Sequence, residues 1–377
     1  MEGFGLYVHV PFCLRKCHYC DFVSSQFDRI DADLYLRALA REITLRTEGA
    51  EYPVVRTVFF GGGTPTTLPG QVLAGMLDEL RRHHHFGDDV EVTVEANPGT
   101  VDGEKLAALR EGGVNRLSLG MQAAQDRLLD MLGRAHRARD VAEAVRLARA
   151  AGFANLNLDL IYGLPGQTPA DWEETLETAL DLAPEHIAAY ALEIHPETPL
   201  GEAVARGELA PADEELELEM YQTLRDALRR AGFVHYEISN FARPGYECRH
   251  NLNYWANGPY AGYGPAACSH LDGRRTTNEK DLLAYASRLF AGELPAAETE
   301  VPDERARMAE TVFLGLRLIA GLSRARFAAR FGRDVTAVFG PEIAGLEAKG
   351  LVELTPDALR LTGRGLPLAN EAFAAFI

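Results

Sequence analysis

A chain of 377 residues is long enough for one large domain and an appendage, and its net charge of −17 argues against a general attraction to nucleic acid or anionic membranes. No run of roughly 18 or more apolar residues occurs, and no basic stretch followed by an apolar one opens the chain, so neither a membrane-spanning helix nor a secretory signal is expected. Five cysteines, an odd number with three close together, suit a reducing cytoplasm better than a disulfide framework.

Leu6-Tyr7-Val8-His9-Val10 reads as a buried strand, and behind it Cys13, Cys17 and Cys20 are spaced by gaps of three and two residues. Thiolates this close can share one polynuclear metal centre. Most iron–sulfur clusters take four cysteines, so three leave one iron of a cubane to a non-protein ligand. A zinc site with a distant fourth ligand, or free thiols, is the alternative; no second Cys-x-x-Cys knuckle supports zinc.

The apolar spacing then predicts a helix over 31–48, a strand over 54–60 and a helix over 69–84. Between strand and helix lies Gly61-Gly62-Gly63-Thr64-Pro65, a turn that also permits close backbone approach and exposes amides to an anion. Strands at 90–95, 114–119, 156–160 and 186–192 alternate with helices at 102–111, 124–132, 138–151, 170–182 and 214–231. The tract His83-His84-His85 ends a helix, where histidine suits the dipole, and is not read as a metal site.

Six strand–helix units imply parallel pairing with right-handed crossovers, either as a flat doubly wound sheet or as an open, partial barrel. Functional groups gather at the carboxyl ends of strands in both. The cysteines follow the first strand and the glycine loop the second. Glu95 ends the third, Gln122 follows the fourth, Asp159 ends the fifth and Glu193 follows the sixth. A carboxylate on a strand of Val and Leu is costly to bury unpaired, so Glu95 and Asp159 are expected to face a polar cavity or a ligand.

The spacing Cys13-x3-Cys17-x2-Cys20 is the cluster motif of the radical S-adenosylmethionine (SAM) superfamily. The longer string from Tyr7 to Phe22 resembles the branch that contains the oxygen-independent coproporphyrinogen III oxidases, which act as dehydrogenases, and the heme chaperones (HemW-like). Arg116 to Gln122 and Asn157 to Pro165 extend the resemblance. It implies an α/β fold, a partial (β/α)6 radical-SAM barrel over residues 1–235, with a mostly helical C-terminal domain. It also implies a [4Fe–4S] cluster on Cys13, Cys17 and Cys20, with SAM on the open iron and its reductive cleavage to a 5′-deoxyadenosyl radical as the associated chemistry. By match to the family, Tyr7, Tyr19, Gly62, Gly63, Thr64, Glu95, Gln122, Arg134, Asp159 and Ala191 are the expected SAM contacts.

Residues 236–299 read as a connecting segment. It contains His250-Asn251-Leu252-Asn253-Tyr254-Trp255, a nitrogen ligand beside aromatic surface, although such residues more often simply pack. The segment resembles the His-Asn-x-x-Tyr-Trp motif of the heme-chaperone branch, which makes His250 the implied heme-iron ligand with Tyr254 and Trp255 against the ring. Residues 300–377 carry no net charge. Helices at 303–319, 323–331 and 341–349 and a hairpin around Pro356-Asp357 suggest a winged-helix shape, with DNA binding not expected.

The expected function is therefore binding of heme and its transfer to an acceptor protein, with no dedicated turnover reaction. A respiratory acceptor, and peripheral membrane association through it, are the partner expectations. Oxygen-independent coproporphyrinogen dehydrogenation is the alternative; the family's dehydrogenases carry a further cysteine where Phe22 stands, and a longer segment before the position of Tyr7.

Overall fold

The computed structural model describes residues 3–377. Its six leading strands are β1 (Phe4–Val10), β2 (Val55–Gly62), β3 (Phe86–Ala96), β4 (Arg116–Gln122), β5 (Leu156–Tyr162) and β6 (His186–Ala191). They lie side by side in chain order and every adjacent pair is parallel. Parallel neighbours need a crossover, and each is helical: Arg29–Thr47, Gly70–His83, Gly103–Glu111, Ala138–Ala150 and Pro169–Asp181. Asp28, Asp102 and Thr168 cap the first, third and fifth through side-chain oxygens that accept backbone N–H groups, and Pro169 opens the fifth where its missing N–H costs nothing. β3 begins four residues before the alternating stretch, because Gly87-Asp88-Asp89 disguises a strand start that pairs Phe86 with Val55.

The segment 236–299 is more than a connector. β7 (Val234–Glu237) and β8 (Asn240–Ala242) extend the sheet antiparallel beyond β6. On the opposite edge β9 (Tyr260–Tyr263) runs parallel to β1, followed by the antiparallel β10 (Cys268–Leu271), β11 (Arg274–Asn278) and β12 (Ala296–Glu300). The whole is a 12-stranded sheet in the order β12-β11-β10-β9-β1-β2-β3-β4-β5-β6-β8-β7. Asp272 and Gly273, both at positive φ, form the tight turn between β10 and β11.

The C-terminal residues pack the helices Glu304–Leu316, Arg324–Phe331 and Val335–Ala348 with a three-stranded sheet of Leu322–Ser323, Ala358–Leu361 and Val352–Leu354, the winged-helix arrangement anticipated. The helix Val335–Ala348 starts six residues earlier than expected and passes through a kink at Phe339, just before Pro341. Among the described residues no helix is long and apolar enough to cross a membrane.

One buried carboxylate ties the first helix to the strands added beside β1. Glu42, on the first helix and fully buried, accepts from the Gly264 N–H at 2.8 Å, from Asn278 Nδ2 at 2.8 Å and from Tyr285 Oη at 2.6 Å. Arg46 Nε stands 3.0 Å away as an ion pair without hydrogen-bond alignment. Removing the carboxylate strands a buried cation and three donors. Glu42→Ala is therefore expected to lower unfolding free energy by about 3 kcal/mol or more, read by denaturant titration; a loss under about 1 kcal/mol would show that water replaces the carboxylate.

Candidate functional site

A parallel sheet covered on both faces is normally apolar throughout. Here the residues pointing away from the helices are polar. The register places Thr93 beside Arg116, Glu95 beside Ser118, Ser118 beside Asn157, and Asn157 beside His186, all on one face. Their neighbours Val92, Val94, Leu117, Leu119, Leu158 and Ile187 are buried on the other. Thr93, Ser118 and Asn157 are buried, whereas Glu95 and Asp159, nearer the carboxyl ends, keep some accessible surface, as groups lining a cavity do.

The cysteine loop and the glycine loop meet at that end. The Gly63 N–H donates to Val10 O at 2.8 Å and the Thr64 N–H to Phe12 O at 2.6 Å. Thr64 Oγ1 lies 3.6 Å from Cys13 Sγ, and Arg134 Nη1 lies 3.5 Å from Cys17 Sγ. Burial pushes the Cys20 thiol up to about 11, so a metal must displace its proton. Among the described residues no three His, Cys, Asp or Glu side chains converge as on a single ion. Thiolates of a cubane bind separate irons and do not need to converge, and the N–H and O–H groups aimed at sulfur are the donors that such ligands accept.

Arg134 holds this corner. Its Nη2 donates to Gly120 O at 2.9 Å and to Asn97 Oδ1, and Asn97 Nδ2 donates to Thr64 Oγ1 at 2.8 Å. A register shift between Gly120 and Gln122 adds one residue to β4 and turns Gln122 to φ 66°, so a bulge re-aims the side chain at the strand end. Asp159 accepts from Ser118 Oγ at 3.0 Å and Asn157 Nδ2 at 2.7 Å, yet burial still raises its pKa. Burial, with Asp159 close by, pushes Glu95 up to about 8. Tyr7 and Tyr19 feel these charges: Glu95 acts on Tyr7, and Arg134, Cys17, Cys20 and Asp159 act on Tyr19. Ala191 ends β6 opposite Tyr162. Glu193 does not join them; it is exposed and pairs with His195.

Sequence reasoning missed Asn97, Arg116, Ser118 and Asn157. Ser118 and Asn157 alternate with leucines in β4 and β5, a pattern that a second polar face would have explained.

His250 lies at the opposite, amino end of the sheet. Its Nδ1 is 2.8 Å from Thr57 Oγ1, its Nε2 is 2.8 Å from Tyr254 Oη, and its ring stacks on Phe59. Glu91 accepts from the N–H groups of Arg249 and His250 and so caps the helix Arg249–Trp255. An axial ligand must present a lone pair, and in this structure both His250 nitrogens are engaged. Tyr254 packs against Tyr260, and Arg317 covers Trp255 at 4.4 Å. His84 bonds Tyr263 and His83 bonds Thr47, so two histidines of the triple tract are structural.

The fold and the cysteine-bearing corner define a radical SAM protein, and the radical SAM superfamily profile matches residues 7–179, with the HemN C-terminal domain matching 303–368. A structure of coproporphyrinogen III oxidase (HemN) from Escherichia coli, titled a radical SAM enzyme, superposes with a TM-score of 0.88 over all of this chain and 90% of that one, at 24% identity. Relatives named heme chaperone HemW share 39% identity in Bacillus subtilis, over 98% of both chains, and 41% in Mycobacterium tuberculosis, over 98% of this chain and 93% of that one. The chain belongs to the HemW family of radical SAM proteins.

The raised pKa of Glu95 has a testable sign. Its neutral form contributes stability that is complete below the ordinary value of 4.5 and is lost as pH rises through about 8. Cofactor-free protein should therefore lose melting temperature between about pH 5 and pH 8, and Glu95→Gln should flatten that slope. Parallel melting curves for the two proteins would show that Glu95 ionises as an ordinary carboxyl.

Proposed function

We propose that this chain binds heme and passes it to an acceptor protein, on a scaffold that holds a [4Fe–4S] cluster and SAM. The observation that carries the reading is the extent of the likeness to relatives named heme chaperone HemW. It runs through the barrel, the segment with His250 to Trp255 and the C-terminal domain alike. Phe22, exposed beside the cluster loop, adds to it, since the resemblance to the dehydrogenases requires a cysteine there.

Cys13, Cys17 and Cys20 would hold the cluster, leaving one iron for SAM. When bound, the cluster supplies the electron for reductive cleavage of the sulfonium. The chain's own groups bind and orient. Arg134 and Thr64 donate toward Cys17 and Cys13. Gly62 and Gly63 bring backbone amides close, and Glu95, Gln122 and Asp159 offer acceptors to ammonium and hydroxyl groups. Tyr7, Tyr19 and Ala191 complete the proposed SAM contacts. For His250 to ligate heme iron, Nε2 must first be released from Tyr254. A respiratory acceptor reached in the cytoplasm is the partner to test first, with any membrane association passing through it.

The test is transfer. Protein reconstituted anaerobically and loaded with hemin should pass it to an apo-acceptor, while the same protein given coproporphyrinogen III, SAM and reductant yields no divinyl product. Sustained divinyl product would establish the dehydrogenase instead. Replacing all three cysteines by alanine should abolish bound iron and sulfide. Asp159→Ala should keep the cluster and weaken SAM about 10- to 100-fold, the worth of one charge-assisted hydrogen bond, in calorimetric titration. Unchanged affinity would remove Asp159 from the site.

A further inference from the structure

Asp159 is met by two donors, and both depend on one amide. Asn157 Nδ2 lies 2.7 Å from Asp159 Oδ1 and 2.7 Å from Ser118 Oγ, and Ser118 Oγ lies 3.0 Å from Asp159 Oδ2. The amide is itself held from behind. His186 Nδ1 is 2.5 Å from Asn157 Oδ1, His186 Nε2 is 2.7 Å from Tyr236 Oη, and the Cys248 N–H reaches Tyr236 Oη at 3.2 Å. Asn157, His186 and Tyr236 are buried. His186 opens β6, whereas Ala191, among the proposed SAM contacts, closes it, so His186 acts from the far end of the strand.

The sense of every bond in this row is fixed. A carboxylate only accepts, so Asn157 turns its NH2 toward Asp159 and its oxygen toward His186. That oxygen also only accepts, so His186 Nδ1 carries the proton and Nε2 carries the lone pair. Tyr236 then donates its O–H to Nε2 and accepts from the Cys248 N–H, which only donates. The two ends of the row therefore demand the same arrangement. Burial and the Arg116 charge lower the His186 pKa well below its ordinary value, so the ring has a single proton to place. An Asn157 amide turned over would set its oxygen against Asp159 and leave Ser118 without its donor.

We propose that His186, backed by Tyr236, is a positioning residue for SAM, fixing the Asn157 amide so that the Asp159 carboxylate is held for the ligand. The inference rests on the SAM-site reading above. The two donors use one lone pair on each carboxylate oxygen, and the others stay open to hydroxyl or ammonium groups.

Full-length, cluster-loaded protein is titrated calorimetrically with SAM, with circular dichroism and cluster absorbance as checks on fold and loading. His186→Leu should weaken SAM about tenfold, the loss of one aimed hydrogen bond. His186→Asn, whose NH2 can stand in for the Nδ1–H donor, should bring affinity back to within about threefold of the unaltered protein. Tyr236→Phe frees the ring to carry its proton on Nε2 and should weaken SAM about threefold. In an Asp159→Ala background none of the three should weaken SAM further, because each acts through that carboxylate. Undiminished affinity in His186→Leu, or an equal loss with and without Asp159, would overturn the proposal while leaving the SAM site in place. Should His186→Leu lose its fold or cluster, Tyr236→Phe decides by the same comparison with and without Asp159. Unchanged affinity in Asp159→Ala, or failure of the unaltered protein to bind SAM, would overturn the SAM-site reading and this inference with it.

Discussion

Two loops clamped together through their backbones set the carboxyl end of this sheet. Gly63 and Thr64 donate to Val10 O and Phe12 O, which clamps the start of the cysteine loop onto the end of β2. A Cβ on Gly63 would lie 2.6 Å from Phe12 O, and one on Gly62, at φ 104°, would lie 2.5 Å from the His9 ring. Only glycine leaves both the conformation and the space. His9 closes the loop from within. Val23 O can only accept from its Nε2, at 2.8 Å, so Nδ1 accepts from Tyr7 Oη at 3.1 Å. Burial lowers the pKa of this ring and favours its neutral form, in which Tyr7 is the donor. The positions of the thiols thus follow from close packing of main chain, closed from within by the His9 side chain.

Against that frame the polar face of the sheet carries a cost that is unevenly met. Asp159 has Ser118 and Asn157 as donors, and Asn157 Nδ2 also serves Ser118 Oγ at 2.7 Å. Arg116 has Glu91 and Asp159 within electrostatic reach. Glu95 has the Gly62 N–H and the charge of Arg116 to offset burial, with no side-chain donor of its own, and Asp159 repels it. The least satisfied carboxyl is therefore the one nearest the glycine loop, where a cationic or hydroxyl-bearing ligand would relieve it.

The barrel was legible because each of its six strands carries a buried apolar face and is followed by a helix. Boundaries agree within a few residues except where Gly87-Asp88-Asp89 disguises the start of β3. The cluster cysteines, Glu95 and Asp159 were legible for a related reason: their chemistry interrupts a regular pattern. The strands between 234 and 300 were not. They are three to five residues long, too short for periodicity to register, and they pair with two different edges of the earlier sheet, Tyr260 with Gly5 and Asn240 with Ala188. Asp272-Gly273 was a readable hairpin signal that went unused. His250 shows the other limit. A motif gives residue types, and whether an imidazole faces a ligand or a Thr57 hydroxyl depends on packing that the sequence does not display.

The two ends of the sheet are closed by different means, and this separates their chemistry. At the amino end the helix Arg249–Trp255 inserts His250 between Gly5, Thr57 and Phe59, with Glu91 neutralising the helix start. At the carboxyl end the closure is the cysteine loop, whose residues Leu14, Arg15 and Lys16 are exposed. The same inserted helix continues into Asn257-Gly258-Pro259, where Gly258 O accepts from His270 Nδ1. Packed rings run from Phe59 through His250, Tyr254 and Tyr260 to His270, so the amino end of the sheet is sealed by one continuous aromatic row that reaches the antiparallel strands added beside β1.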